Sequence, residues 1–313
     1  MKNDPQHSPL WALSEHGHIT GVKGLQLQYC RVPASTGVTF QGTIVLCSGR
    51  GESYLKYWEL ITQLHQQGFA FALWDHRGQG LSARLLADTQ IGHVQHFNDY
   101  VADMAIFMRA QVLPHTAAPH YLLGHSMGGA ISCLYLQQYP HHFDKAFLCA
   151  PMLGIHLPAP RAVIRPLLAL WQRWRPTGYA IGGQAYAPKP FANNPYTSDA
   201  ARYQWQLALQ QQYPQIQVGS PSVHWIQQAI DTCDRLASIS LTTSVMIALG
   251  ECDNIVDNQS INAFAEANGM PVYTVPQGRH ELLFEQDDLR TPLLQQLLQW
   301  YAPIAMGDIC DAS

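Results

Sequence analysis

The chain has 313 residues, 47% of them hydrophobic and 13% charged, with a formal net charge of −4. Charged residues are far below the usual share of about 25%, which excludes a disordered chain and a coiled coil. The acidic balance excludes a wholesale electrostatic binder of nucleic acid, and no stretch reaches the ~18 consecutive apolar residues of a membrane-spanning helix.

Met1–His18 mixes Lys, Asp, Pro and His without an apolar run, so it reads as a polar arm over residues 1–20 with His16 and His18 solvated, and not as a secretory signal. Leu25–Val32 alternates as a strand does, and Thr43–Cys47 is a short apolar run stopped by Ser48-Gly49. Tyr54–Gln67 has helical spacing, Ala70–Trp74 is a second buried strand, and Asp99–Val112 is an amphipathic helix. A short strand at Tyr121–Leu123 runs into a helix over Ser126–Gln138, and Lys145–Cys149 is a strand ended by Ala150-Pro151. The alternation resumes at Trp225–Leu236 (helix), Ser244–Ala248 (strand), Asn258–Ala267 (helix) and Val272–Val275 (strand). A last helix covers Leu293–Tyr301, with Pro292 at its start. Buried strands alternating with helices predict an α/β fold, a mostly parallel, doubly wound sheet covered on both faces.

Between the two halves of that pattern the composition changes. Residues 152–221 carry six basic residues (Arg161, Arg165, Arg173, Arg175, Lys189, Arg202) and one acid, Asp199. They also carry nine aromatic residues and several prolines, including Pro158, Pro160, Pro166 and Pro176. The expected organisation is a core of 21–151 and 222–301, an inserted helical cap over 152–221, and a tail over 302–313. The seven cysteines (Cys30, Cys47, Cys133, Cys149, Cys233, Cys252, Cys310) are irregularly spaced and read as free thiols in a reducing compartment. The histidines are scattered, with no metal-ligand spacing on one helical segment, so neither a metal nor a cofactor is expected.

Gly124-His125-Ser126-Met127-Gly128-Gly129 follows an apolar run and opens a helix. That is the setting of a nucleophile elbow, in which a sharp strand-to-helix turn presents a serine hydroxyl. The N–H of Met127, at the helix start, is aimed where an oxyanion would form. A nucleophilic serine needs a base and the base an orienting acid, in chain order Ser, Asp or Glu, then His. His280 follows the last strand and is the candidate base; Asp253 is the candidate acid, with Asp257 the rival and a helix cap its other role. Ser48-Gly49-Arg50-Gly51-Glu52-Ser53 lacks the Lys-Ser/Thr of a phosphate loop, and a backbone N–H there, that of Arg50, is the second oxyanion donor. Asp75-His76-Arg77-Gly78-Gln79-Gly80-Leu81-Ser82 reads as a structural turn with Asp75 and Arg77 paired.

These motifs, with Phe97-Asn98-Asp99-Tyr100, Ala150-Pro151-Met152 and Gly278-Arg279-His280, resemble the α/β hydrolases of the monoglyceride lipase and lysophospholipase group. Arg84–Asp88, Gly178–Gly182, Ser220-Pro221 with His224-Trp225, and Val256–Asn258 resemble its bacterial lysophospholipase branch. The resemblance implies hydrolysis of a lysophospholipid to a fatty acid and a glycerophosphodiester through an acyl-enzyme, with transacylation as a side reaction. Monoacylglycerol lipase, general carboxylesterase and a peptidase of the same fold are the alternatives; a non-catalytic lipid-binding protein is a more distant one. One departure is Ser48-Gly49, where monoglyceride lipases have His-Gly, and it brings the cation of Arg50 towards the pocket. Arg50, Arg173 and Arg175 are candidates for the substrate phosphate or an anionic membrane surface, and the expected location is cytoplasmic with peripheral attachment to the inner membrane.

Overall fold

The computed structural model describes residues 4–302. Cys310 and the tail beyond Ala302 lie outside them, as do Met1–Asn3. One eight-stranded sheet organises the chain, in the order β1-β2-β4-β3-β5-β6-β7-β8. Its strands are β1 (Glu15–Thr20), β2 (Gln26–Val32), β3 (Gly42–Cys47), β4 (Phe69–Trp74), β5 (His120–His125), β6 (Lys145–Cys149), β7 (Ser244–Gly250) and β8 (Val272–Val275). Strands β3 to β8 pair in parallel, while β1 and β2 add an antiparallel edge. Every residue of β3, β4 and β5 is buried, so the middle of each strand is apolar on both faces instead of alternating with polar residues.

Helices α1 (Pro9–Leu13), α2 (Trp58–His65), α3 (Asn98–Phe107), α4 (Met127–Gln138), α5 (Arg161–Trp174), α6 (Ala200–Gln212), α7 (Val223–Leu236), α8 (Asn258–Ala267) and α9 (Asp287–Tyr301) complete the chain. Side chains of α3, α4, α7 and α8 build one apolar layer on the sheet. Those of α2 and α9 build the layer on the opposite face. The chain leaves β3 towards β4 on one side and returns to β5 on the other, with Cys47 opposite Gly124 in register. Loops leaving the carboxyl ends of β3 and β5 therefore meet at a topological switch point, where α/β sheets place their sites. Between β6 and α7 the chain makes an excursion that holds α5 and α6 and adds no strand to the sheet.

Several expectations need correction. The polar arm is not free: Glu15–Thr20 forms β1, and His16 stacks on Trp11 with ring centroids 3.8 Å apart. Only Ile19 of β1 is buried, which is why the segment carries no strand signal. The last helix begins at Asp287, and Pro292 lies inside it. Asp287 and Asp288 fill the first turn, where carboxylates meet the positive end of the helix dipole. Pro166 likewise sits within α5 instead of breaking it. The helical stretch from Tyr54 starts as a single 3-10 turn, Tyr54–Tyr57, before α2, and the helix from Asn98 ends in a π-turn, Met108–Val112. Arg77 does not pair with Asp75. It binds Asp103 through Nε (2.6 Å) and Asp99 through Nη1 (3.2 Å). Asp75 instead accepts from Ser53 Oγ, Tyr54 N and Leu81 N, and burial raises its carboxyl to about 6.

Candidate active site

Ser126 stands between β5 and α4 with φ of 52°, a left-handed conformation that non-glycine residues rarely adopt. The turn is possible because the residues two places to either side, Gly124 and Gly128, lack side chains. A β-carbon on Gly128 would lie 2.0 Å from the carbonyl oxygen of Cys47, and one on Gly124 would meet Ser132 Oγ at 2.8 Å. Glycine at 128 thus lets α4 start against the end of β3. The strained backbone lifts the serine hydroxyl clear of the sheet, and its Oγ lies 2.9 Å from His280 Nε2.

His280 Nδ1 lies 2.7 Å from Asp253 Oδ2. The other oxygen of Asp253 accepts from the N–H groups of Ile255 (2.7 Å) and Val256 (3.2 Å). Burial alone would raise the Asp253 carboxyl. The His280 hydrogen bond and these backbone donors overcome burial and hold it below its ordinary value. An ionised Asp253 fixes the proton of His280 on Nδ1 and leaves Nε2 as an acceptor facing the serine. Asp257 is turned elsewhere: its oxygens cap α8 through Gln259 N, Ser260 N and Ser260 Oγ.

Met127 is the first residue of α4, so its N–H has no acceptor within the helix. The loop of Arg50 runs beside it, held by a buried network. Gly49 N donates to Glu52 Oε2, Gly51 N to Gln79 Oε1 (2.9 Å), and Gln79 Nε2 to the carbonyls of Gly49 (2.7 Å) and Glu52 (2.9 Å). Lys56 Nζ, itself buried, bridges Glu52 (2.6 Å) and Glu281 (2.7 Å), the residue after His280. His125 Nδ1 is 3.3 Å from Glu52 and its Nε2 is 3.3 Å from the His280 carbonyl. Burial would push Glu52 up, but Lys56 and His125 beside it hold it well below the usual carboxylate range. Burial would lower Lys56 and His125; Glu281 and Glu52 raise the first, and Glu52 raises the second. This network is not expected from the sequence: its one local signal is the pair Glu52 and Lys56, four residues apart, and its other members are distant in the chain. His76 is buried, with Nε2 3.1 Å from the Ser48 carbonyl, and burial lowers it to about 4, so it serves as a neutral prop under the loop.

The excursion also contacts the turn that carries His280. Glu281 N donates to the Tyr196 carbonyl (2.8 Å). Glu285 accepts from Arg279 N (2.8 Å), Ser198 N (2.8 Å) and Thr197 Oγ1 (3.2 Å). Arg279 Nη1 donates to the carbonyls of Asn194 and Thr197.

The expected cationic residues separate into two groups. Arg161 and Arg165 pair with Asp234 and Asp231 of α7, and Arg202 with Glu59, Asp199 and Asp287. Arg173 and Arg175 are exposed and, among the described residues, enter no ion pair. The Arg50 guanidinium donates from Nη1 to the Gly219 carbonyl (3.2 Å) and lies 5.4 Å from the centre of the Trp225 ring; burial lowers its pKa. Among the described residues it too has no carboxylate partner. Five of the six described cysteines are buried, Cys252 being exposed, and none is in a disulfide. No cluster of three or more His, Cys, Asp or Glu fit to hold a metal occurs among the described residues.

The pattern of the serine aminopeptidase S33 family matches residues 39–287. Lysophospholipase L2 of Escherichia coli strain K12 is 36% identical over 93% of this chain and 88% of its own. The human monoglyceride lipase is 30% identical, over 49% of this chain and 47% of its own. Among solved structures, a soluble variant of the Saccharomyces cerevisiae monoglyceride lipase superposes with a TM-score of 0.71 at 20% identity, covering 93% of this chain and 97% of that one.

Proposed function

We propose that this chain, which belongs to the serine aminopeptidase S33 family of α/β hydrolases, is a lysophospholipase that works through Ser126, His280 and Asp253. The observation that carries this reading is the relay of 2.7 and 2.9 Å from Asp253 through His280 to a serine on a strained elbow. Ser126 Oγ attacks the ester carbonyl while His280 Nε2 takes its proton. The N–H groups of Met127 and Arg50 receive the charge that develops on the carbonyl oxygen. Collapse of the tetrahedral adduct leaves the acyl group on Ser126, and His280 returns the proton to the departing alcohol. Water, activated by the same imidazole, then releases the fatty acid. A second lipid alcohol in place of water gives transacylation.

Lysophospholipid is preferred to monoacylglycerol because the lysophospholipase likeness runs over nearly the whole chain, excursion included, while that to the human monoglyceride lipase covers about half. The half-buried Arg50, without a carboxylate partner among the described residues, is the group suited to a phosphodiester. Side-by-side turnover of a lysophospholipid and a monoacylglycerol with the same acyl chain tests this. A higher kcat/KM on the lysophospholipid is expected; a preference for the monoacylglycerol makes the protein a neutral-lipid lipase.

The excursion over 152–221 is the proposed cap, and α5 its contact with lipid. Val163, Leu167, Leu170, Trp171 and Trp174 recur at helical spacing and are 42–78% exposed, whereas Leu168 on the other side packs on Val223 and Ile230. An exposed apolar stripe with tryptophans and unpaired arginines at one end suits a helix lying in a membrane interface. Each cation near an anionic surface contributes about 1 kcal/mol, fading with salt. Arg173→Glu with Arg175→Glu is therefore expected to weaken binding to anionic vesicles by roughly thirtyfold or more at low salt. It lowers kcat/KM on vesicle-borne lysophospholipid and leaves a short neutral ester unaffected. Co-sedimentation and the two rates check this; equal losses on both substrates indicate damage to the fold instead.

A further inference from the structure

We infer that Gln79 is a positioning residue for the oxyanion site: its buried carboxamide aims the N–H of Arg50. The inference rests on the proposed role of that N–H as an oxyanion donor. Gly49 C=O and Arg50 N–H belong to one planar, trans peptide unit, so they point in opposite directions. Whatever fixes the carbonyl fixes the N–H. Gln79 Nε2 donates to that carbonyl at 2.7 Å, and so turns the N–H to the far side of the unit.

The neighbouring peptide units are held as well. Gln79 Oε1 accepts from Gly51 N at 2.9 Å, and Nε2 donates to the Glu52 carbonyl at 2.9 Å. Gly49 N donates to the Glu52 side chain. One carboxamide thus uses both of its ends on a single loop. Gln79 is 3% exposed, so water does not replace it cheaply. The loop needs such a hold because Gly49 and Gly51 have no side chains to pack and Gly51 has φ of 73°, a conformation with little steric preference of its own. An oxyanion donor is effective when it already points at the charge before the charge forms. Without Gln79 the peptide unit has to be turned during the reaction, and the loss appears in the transition state and not in substrate binding.

Complete removal of an oxyanion donor costs about 10²–10³ in kcat. A donor that remains but is no longer aimed is expected to cost about tenfold to a hundredfold. Gln79→Met keeps the length and removes all three hydrogen bonds. Gln79→Glu keeps the shape and the acceptor for Gly51 N but sets a carboxyl against two carbonyls; it carries the test if the methionine variant does not fold. In either folded variant kcat on a short ester should fall by that factor, with KM changed less than about threefold. Affinity for a boronic acid that forms a tetrahedral adduct on the serine should fall in parallel, while affinity for the fatty acid product stays unchanged. Unchanged kcat, or a loss confined to KM, overturns the inference. A wild-type protein that neither turns over esters nor reacts with a fluorophosphonate at Ser126 overturns the underlying reading instead, so the two failures are distinct.

Discussion

Ser126→Ala is expected to abolish ester turnover and leave the protein folded. Its Oγ is the atom His280 Nε2 faces at 2.9 Å, and no other serine in the described residues shares a hydrogen bond with that imidazole. In the serine-protease precedent, loss of the nucleophile costs on the order of 10⁶ in kcat. The hydroxyl is only half-buried and packs on no apolar layer, so stability should change by less than about 1 kcal/mol. The strained φ remains, because alanine has the same β-carbon and the same objection to it. A fluorophosphonate probe followed by peptide mass spectrometry should mark Ser126 in the wild type and nothing in the variant. Labelling that persists in Ser126→Ala would give the nucleophile to another residue.

The second large effect separates two aspartates four residues apart. Asp253→Asn is expected to lower kcat by about 10⁴, the loss known when the orienting carboxylate of such a triad becomes an amide. The reason is local. With asparagine, Oδ1 keeps the bonds to Ile255 and Val256, and the NH2 group then faces His280 Nδ1. The imidazole moves its proton to Nε2 and no longer accepts one from Ser126. Asp257→Ala removes a helix cap and is expected to cost about 1 kcal/mol of stability with activity retained per folded molecule. Steady-state rates and urea midpoints on both variants check the pair; exchange of the two phenotypes would assign the acid to Asp257.

The parts of this molecule that were legible in its sequence are those whose physics is local or repeated. Strands β3, β4, β5 and β6 are buried on both faces and so appear as apolar runs, whichever way they pair. The edge strand β1 was illegible because one residue in six, Ile19, meets the core. The elbow at Ser126 was legible because its glycines are demanded by contacts within a few residues and one neighbouring strand. Asp253 and Asp257 were both plausible because each precedes a helix and follows the same strand. Each accepts from the backbone N–H groups two and three residues ahead, and what distinguishes them is that the second oxygen of Asp253 faces His280 Nδ1, a contact made only by folding. Arg77 was given the nearest carboxylate in sequence, whereas its partners come from α3, 22 and 26 residues away. The network of Glu52, Lys56, His125 and Glu281 was out of reach for the same reason. Its members come from the loop after β3, the strand end before the serine and the turn after β8, and only folding brings them together.

The clamp between residues 194–199 and the loop 279–285 bears on how such a hydrolase can be re-engineered. Exchange of the excursion for that of another hydrolase is one way to test what it contributes, and the composition change points to junctions near 152 and 221. Cutting there removes Asn194, Tyr196, Thr197 and Ser198, whose hydrogen bonds support the turn that carries His280. A chimera made that way is expected to lose rate through the unsupported turn alone, and a screen on activity would discard it before its selectivity is seen. A graft limited to about 156–190 keeps those supports and exchanges α5 with the chain that follows it. The natural unit of exchange in this protein is therefore about half the excursion, because the other half supports the turn that carries His280.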